Sequence, residues 1–240
     1  YMFGLPYDDY KNLHVRKYGF HGTSHRFVSS ALAEAMGKDI KDLKIVSCHL
    51  GNGSSITAVD GGKSIDTSMG FTPLDGVVMG TRTGSVDPSA VTFVADKHGF
   101  SPAQMSEYMN KKSGFLGVSG VGSDNRDITD AAEHGNNRAK LVSDMLVYEI
   151  KKYIGSYAAA MNGLDAVLFT GGIGENAFDV REKVCENMEF FGIKLDKEAN
   201  NGLRGQLKKI SAEDSKVQVW VVPTNEELLI ARDTLALISE

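Results

Sequence analysis

Two glycine-centred stretches and one arginine carry the residue types that could handle a phosphate. In His49-Leu50-Gly51-Asn52-Gly53-Ser54-Ser55, two glycines stand among a histidine, an asparagine and two serines. Glycine lets backbone N–H groups turn toward an anion and approach it closely. In Thr170-Gly171-Gly172-Ile173-Gly174-Glu175-Asn176, the glycines separate an apolar run from a helical pattern, so free N–H groups and the positive end of a helix would meet at one spot. Arg82 lies in residues 70–88, where glycine recurs at 70, 76, 80 and 84. A guanidinium suits tetrahedral anions better than an ammonium does, because its donors form a fixed fork. The chemistry these groups suit is holding the outer phosphates of a nucleotide. Glu226 fits the same picture, since a magnesium ion takes one or two carboxylates and completes its shell with phosphate oxygens and water. The plain alternatives are a mobile loop with a solvated arginine, glycine turns kept for packing, and an ordinary first-turn glutamate.

These groups need elements to place them. The run KIVSCHL, the turn Gly51-Asn52-Gly53, the run SSITAVD, the pair Gly61-Gly62 and the run KSIDTS predict a three-stranded meander over residues 44–68. The first ten residues read as a loop, and residues 14–20 as a short strand. A helix follows with Phe27, Val28, Ala31, Leu32, Ala35 and Met36 as its apolar stripe, Thr23 or Ser24 as cap and Gly37 as stop. His21 stands just ahead of that helix. Its i,i+4 spacing to His25 would suit zinc, but a third ligand and the glutamate of H-E-x-x-H are missing, which favours a helix-start pair with local hydrogen bonds. Asp87-Pro88 caps a helix ending at Gly99, and Ser101-Pro102-Ala103-Gln104 opens another as a capping box. Residues 113–124 read as a second glycine-rich loop. A long helix covers residues 137–161, with both its Leu141/Met145/Tyr148 and Val142/Leu146/Tyr157 faces assigned to the core. Residues 165–169 form a buried strand before the glycine turn, whose helix starts at Glu175 or Asn176. After strands near 192–195, 206–210 and 217–222, Thr224-Asn225-Glu226-Glu227 reads as a capping box in which Glu227 reaches back to the cap. A meander followed by alternating helices and strands predicts one mixed-sheet α/β domain, with no linker to divide it.

Net charge -5 and an isoelectric point near 5.7 argue against nucleic acid or anionic membrane as partners, since both need a basic face. Cys48 and Cys185 form no C-x-x-C and read as free thiols, which points to the cytoplasm. No apolar run of spanning length and no signal pattern is seen. The chain begins at Tyr1 and looks like a piece of something longer.

Gly172-x-Gly174-x-x-Ala177 also satisfies a dinucleotide fingerprint, with Asp196 about twenty residues on. Alone it would argue for an NAD-dependent oxidoreductase. That fingerprint normally opens its fold, however, and the NAD reading leaves HLGNGSS, Arg82 and Glu226 without roles. A third reading is a module that binds ATP without turning it over, consistent with the lack of a nameable catalytic base.

YGFHGTSH (18–25), HLGNGSS (49–55), DTSMGFTPLDG (66–76), MGTRTGSVDP (79–88), MNKKSG (109–114), FTGGIGEN (169–176) and PTNEE (223–227) resemble the signatures of the acetate kinase family, in that family's order and across essentially the whole chain. The resemblance implies an actin-like, sugar-kinase ATPase domain of ribonuclease H-like type, a mixed sheet with flanking helices. It implies that residues 1–240 are the second, nucleotide-binding domain, with 224–240 starting the helix that returns to a first domain. It further implies reversible, in-line phosphoryl transfer between ATP and acetate or another short carboxylate such as propionate. His49, Leu50, Gly51, Asn52 and Gly53 would meet the phosphates. Asp124, Asn125, Arg126, Gly172, Ile173, Gly174, Glu175 and Asn176 would hold the adenosine side, Glu226 would bind Mg²⁺ or Mn²⁺, and His21 and Arg82 would stabilise the phosphoryl group in flight. A homodimer through this domain is implied as well. The family's phosphate-binding asparagine, substrate-carboxylate arginine and catalytic aspartate have no counterpart here, so the chain alone is expected to be inactive.

Overall fold

The small turn residues between the apolar runs fold as their spacing demands. In the computed structural model, which describes residues 1–239, the meander consists of β1 (Lys44–His49), β2 (Ser55–Asp60) and β3 (Lys63–Thr67), paired antiparallel. Three later strands, β4 (Ala166–Thr170), β5 (Lys208–Lys209) and β6 (Gln218–Val221), complete a six-stranded sheet in the order β3-β2-β1-β4-β6-β5. β4 lies parallel to β1, and β6 parallel to β4. This is the mixed α/β architecture the resemblance implied. Parallel strands are covered on both faces, which is why β4 is a continuous apolar run rather than an alternating one.

The chain packs as two compact units, each drawn from separated segments. One comprises Tyr1–Phe20, Asn52–Ser54 and Ser68–Ile150; the other comprises His21–Gly51, Ser55–Thr67 and Lys151–Glu240. The second holds the whole sheet. Helices α1 (Tyr7–Leu13) and α2 (Gly22–Met36) open the first and second units respectively. In the second, Val28, Leu32 and Ala33 of α2 pack on Leu43, Ile45, Val59, Ala166, Leu168 and Val222. The first contains α3 (Pro88–His98), α4 (Pro102–Lys111), α5 (Gly114–Ser119), α6 (Asn125–Glu133) and α7 (Asn137–Ala160) as far as Ile150. The second also carries α8 (Gly171–Asn176), α9 (Phe178–Cys185), α10 (Lys197–Asn200) and α11 (Glu226–Ile238). Among the described residues no helix is long and apolar enough to cross a membrane.

Several expectations need correction. The opening stretch is not all loop, because Asp8 and Asp9 in the first turn of α1 complement its positive end. Residues 14–20 form no strand; His14 instead closes α1 in the left-handed conformation. Residues 113–124 contain α5, made helical by tertiary hydrogen bonds from Phe115 N to Met79 O and from Leu116 N to Gly80 O. His21, not Thr23 or Ser24, is the N-cap of α2, at φ 59°. Asn225, not Thr224, caps α11 by accepting from Leu228 N, so Glu227 is not the reciprocal member of a capping box. On α7 the Val142/Leu146 face is buried, whereas Leu141 and Tyr148 are exposed. The helix after β4 starts at Gly171, four or five residues earlier than expected, so the glycine turn is itself its first turn.

Candidate functional site

Within the second unit, β1, β4 and β6 run in one direction, so their carboxyl ends share an edge of the sheet. In open α/β sheets ligands bind off that edge. Three sequence signals converge there. Leu50, just past β1, receives hydrogen bonds on its carbonyl from Ile173 N (2.8 Å) and Gly174 N (3.2 Å), and its own N–H donates to Thr170 O (2.8 Å). The approach is so close that a Cβ on Gly171, at φ 77°, would lie 2.8 Å from the Leu50 carbonyl oxygen, which only glycine avoids. The third strand end joins through Glu175, whose Oε1 accepts from Gly171 N (3.0 Å) and Thr224 N (3.2 Å). The carboxylate thus ties the start of α8 to the segment leading into α11.

Below this edge lies a serine-lined group of histidines. Ser47 and His49 are two apart on β1, and Ser55 stands opposite His49 on β2, so the strand period sets the three on one face. His25 projects from α2, one helical turn beyond His21, to meet them. Its Nδ1 lies 2.8 Å from Ser47 Oγ and its Nε2 2.6 Å from Ser55 Oγ. His21 Nδ1 is 2.9 Å from the same Ser55 oxygen, and the His21 ring stacks on His49 with centroids 4.2 Å apart at 19°. His49 Nδ1 meets Ser24 Oγ at 2.8 Å, which in turn meets Thr224 Oγ1 at 2.8 Å. Burial, reinforced by His49 and His21, lowers the pKa of His25 to about 3. Burial and then His21 lower that of His49 to about 4. Both rings are therefore neutral at neutral pH, and their nitrogens act as hydrogen-bonding groups rather than as charges.

In the first unit, the arginine loop has no regular structure but is pinned along its length. Met79 N donates to Arg82 O, Ser113 N to Thr81 O and Thr83 N to Met109 O, each at 3.1 Å. Arg82 Nη1 donates to Pro73 O at 3.1 Å, which fixes the guanidinium in a preset orientation. Gly80 packs so closely that a Cβ there would stand 2.8 Å from Ser123 O, which places the loop beside the start of α6. Asp124 caps α6 by accepting from Arg126 N at 2.9 Å, and it also takes Arg126 Nε and Nη2. Arg126's hydrogen bonds hold the Asp124 carboxyl down at about 2. Pairs this exposed contribute little to stability.

The Acetokinase family model matches residues 1–232. The chain belongs to the acetokinase family. It is 57% identical over 238 residues to the acetate kinase of Clostridioides difficile, covering 99% of this chain and 60% of that relative. The crystal structure of Porphyromonas gingivalis acetate kinase superposes with a TM-score of 0.98 at 52% identity, covering 99% of this chain and 60% of that one. That of a propionate kinase from Francisella tularensis gives 0.90 at 40% identity, covering 97% and 59%. The chain therefore spans about 60% of the length of the acetokinase relatives it matches.

Of the residues singled out in the sequence, His21, His49, Leu50, Gly51, Gly172, Ile173, Gly174, Glu175, Asn176 and Glu226 belong to the second unit, and Asn52, Gly53, Arg82, Asp124, Asn125 and Arg126 to the first. The dinucleotide reading loses its acidic partner, because Asp196 is occupied as the cap of α10, accepting from Ala199 N. Among the described residues no group of three or more His, Cys, Asp or Glu is arranged to hold a metal. Glu226 sits half-buried at the first position of α11, just past the end of β6. A lone carboxylate there fits an ion that draws its remaining ligands from phosphate and water. From the sequence of this acetokinase chain, His25, Ser24 and Thr224 were given only local roles at helix starts, whereas the structure joins them to β1 and β2; Ser47 was given no role, and Arg181 was passed over. That residue has no exposed surface and donates to Gly174 O, Leu203 O and Asn200 Oδ1 at 2.8–2.9 Å. The alternating serine and histidine of an otherwise apolar strand, Ser47 and His49, was the available signal.

Proposed function

We propose that this chain supplies the ATP- and metal-binding side of an acetate kinase, which moves the γ-phosphoryl group of ATP in line onto acetate to give acetyl phosphate and ADP. The observation that carries the reading is the meeting of three parallel strand ends at one edge, tied together by the Leu50 carbonyl and the Glu175 carboxylate. On this reading His49, Leu50, Gly51, Asn52 and Gly53 meet the phosphates. Gly172 to Asn176 and Asp124 to Arg126 hold the adenosine side. His21 and Arg82 offer fixed donors to the equatorial oxygens, where charge spreads during transfer, and so favour the transition state over the ground state. Glu226 would hold Mg²⁺ or Mn²⁺, which when bound would neutralise phosphate charge. The chain would act as the second domain of the enzyme, in the cytoplasm. It would pair as a homodimer, for which the exposed Phe93, Leu141 and Tyr148 of the first unit offer apolar surface.

The test is protection against thermal unfolding by MgATP and by NAD. A ligand that binds only the folded form stabilises it by an amount that grows with the logarithm of one plus the ratio of free ligand to its Kd, so MgATP is expected to raise the melting temperature and NAD to leave it unchanged. Preferential protection by NAD would overturn the reading. ATP protection without phosphoryl transfer by a longer enzyme containing this chain would favour a non-catalytic ATP module. Propionate is the second acceptor to consider, because a propionate kinase shares the fold closely. One methylene changes binding by only about 1–3 kcal/mol, so both acids belong in the acceptor assay.

A further inference from the structure

A buried hydroxyl with one partner has one place to put its proton. Ser47 has no exposed surface, and among the described residues its Oγ meets a single polar atom, His25 Nδ1 at 2.8 Å. If Nδ1 carried the ring proton, Ser47 would have to accept it, and its own O–H would point into the sheet with nothing to receive it. Orphaned buried donors are rare and destabilising. Ser47 therefore donates, Nδ1 accepts, and the neutral His25 ring carries its proton on Nε2.

The constraint passes along the chain. His25 Nε2–H points at Ser55 Oγ, 2.6 Å away, so Ser55 accepts there. Ser55 is also fully buried, and its second contact is His21 Nδ1 at 2.9 Å. The Ser55 proton goes to that nitrogen, which makes Nδ1 of His21 an acceptor and leaves the His21 proton on Nε2. The His21 ring has little freedom to escape this arrangement. Its backbone is held at φ 59° at the head of α2, and its face is stacked on His49.

We infer that Ser47, His25 and Ser55 form an ordered hydrogen-bond chain that fixes His21 as the Nε2–H tautomer, the three acting as positioning residues for that ring. Burial keeps His25 neutral, and the groups around it, Ser47, Ser55, His21 and His49, include no carboxylate that would draw a second proton onto it. The functional consequence rests on the phosphoryl-transfer reading. A ring locked as an Nε2–H donor stabilises negative charge on a transferring oxygen, whereas the other tautomer would turn a lone pair toward it. Outer partners that select a histidine tautomer are the usual means of orienting a working imidazole.

The experiment is a long-range ¹H–¹⁵N correlation on protein labelled with ¹⁵N-histidine at neutral pH, which distinguishes protonated from unprotonated ring nitrogens. Both His25 and His21 are expected as single tautomers with the proton on Nε2. Ser47→Ala is expected to convert His21 to an averaged pair of tautomers, and Ser47→Thr, which keeps the hydroxyl, to retain the original pattern. His21 found as Nδ1–H, or averaged in the unaltered protein, overturns the inference. So does a Ser47→Ala spectrum in which His21 is unchanged. If Ser47→Ala fails to fold, the spectrum of the unaltered protein decides. The measurement reads proton position without turnover, so failure of the phosphoryl-transfer reading would leave it untouched, and its own failure would leave that reading standing.

Discussion

At the scale of single residues, the inner histidines differ from an exposed imidazole because protonating them would place charge among apolar groups and serines. With folded values near 3 for His25 and near 4 for His49, against about 6.5 in an unfolded chain, the unfolded state takes up protons that the folded state refuses. Stability is then fully present above about pH 6.5 and is lost as the pH falls toward the folded values. At about pH 5 each histidine is expected to have removed about 2 kcal/mol, on the scale of about 1.4 kcal/mol per unit. Urea midpoints at neutral pH and near pH 5 measure this, and His25→Gln should flatten the dependence. An equal slope in the variant would show that His25 is not its source. On the proposed reading Arg82 acts through a guanidinium whose orientation is set by Pro73 O. In a longer enzyme containing this chain, Arg82→Ala is expected to remove about 2.7–4 kcal/mol of barrier lowering, the scale of losing one oxyanion donor, with ATP affinity much less changed. An unchanged kcat would end the assignment.

At the scale of elements, α8 has six residues, three of them glycine, and propensity alone would not keep it helical. Most of its anchors lie outside it. The Leu50 carbonyl receives Ile173 and Gly174 N–H, Glu175 takes Gly171 N–H, and the Arg181 guanidinium, reaching back from α9, takes Gly174 O. Burial lowers the pKa of Arg181 to about 10, so it stays charged at neutral pH. Arg181→Met would leave three buried oxygens without a donor, a loss on the order of 3 kcal/mol. Arg181→Lys should recover little, because an ammonium lacks the fork that serves all three. A urea midpoint for either variant matching the unaltered protein would refute this. The same dependence explains what the sequence revealed and what it hid. The meander, the Asp87-Pro88 start and the Ser101–Gln104 capping box are set by neighbours in the chain, and the structure holds all of them. By contrast α5 and α8, rich in glycine, are helical because of backbone partners thirty to more than a hundred residues away. The cap of α2 was missed because His21, a non-glycine residue in the left-handed region, follows no local preference.

At the scale of the whole molecule, the sequence could nominate site residues because they fall in long motifs, while the way the chain packs was not legible in it. The two compact units interleave along the sequence, so no linker marks where one gives way to the other. The chain spans about 60% of the length of its relatives, and on the proposed reading the asparagine, arginine and aspartate that the family resemblance implies would be supplied from outside these residues. Fixed donors on one side can bind a nucleotide, but in-line transfer also needs the acceptor held against the γ-phosphate in a dry, closed site. The 240-residue chain is therefore expected to be protected by MgATP yet to make little or no acetyl phosphate. The decisive assay traps acyl phosphate from the purified chain with acetate and with propionate, beside a longer enzyme containing the same residues. Turnover by the chain alone at a rate near that of the longer enzyme would mean that the groups needed to seat the carboxylate lie within residues 1–240, and the division of labour argued here would have to be abandoned.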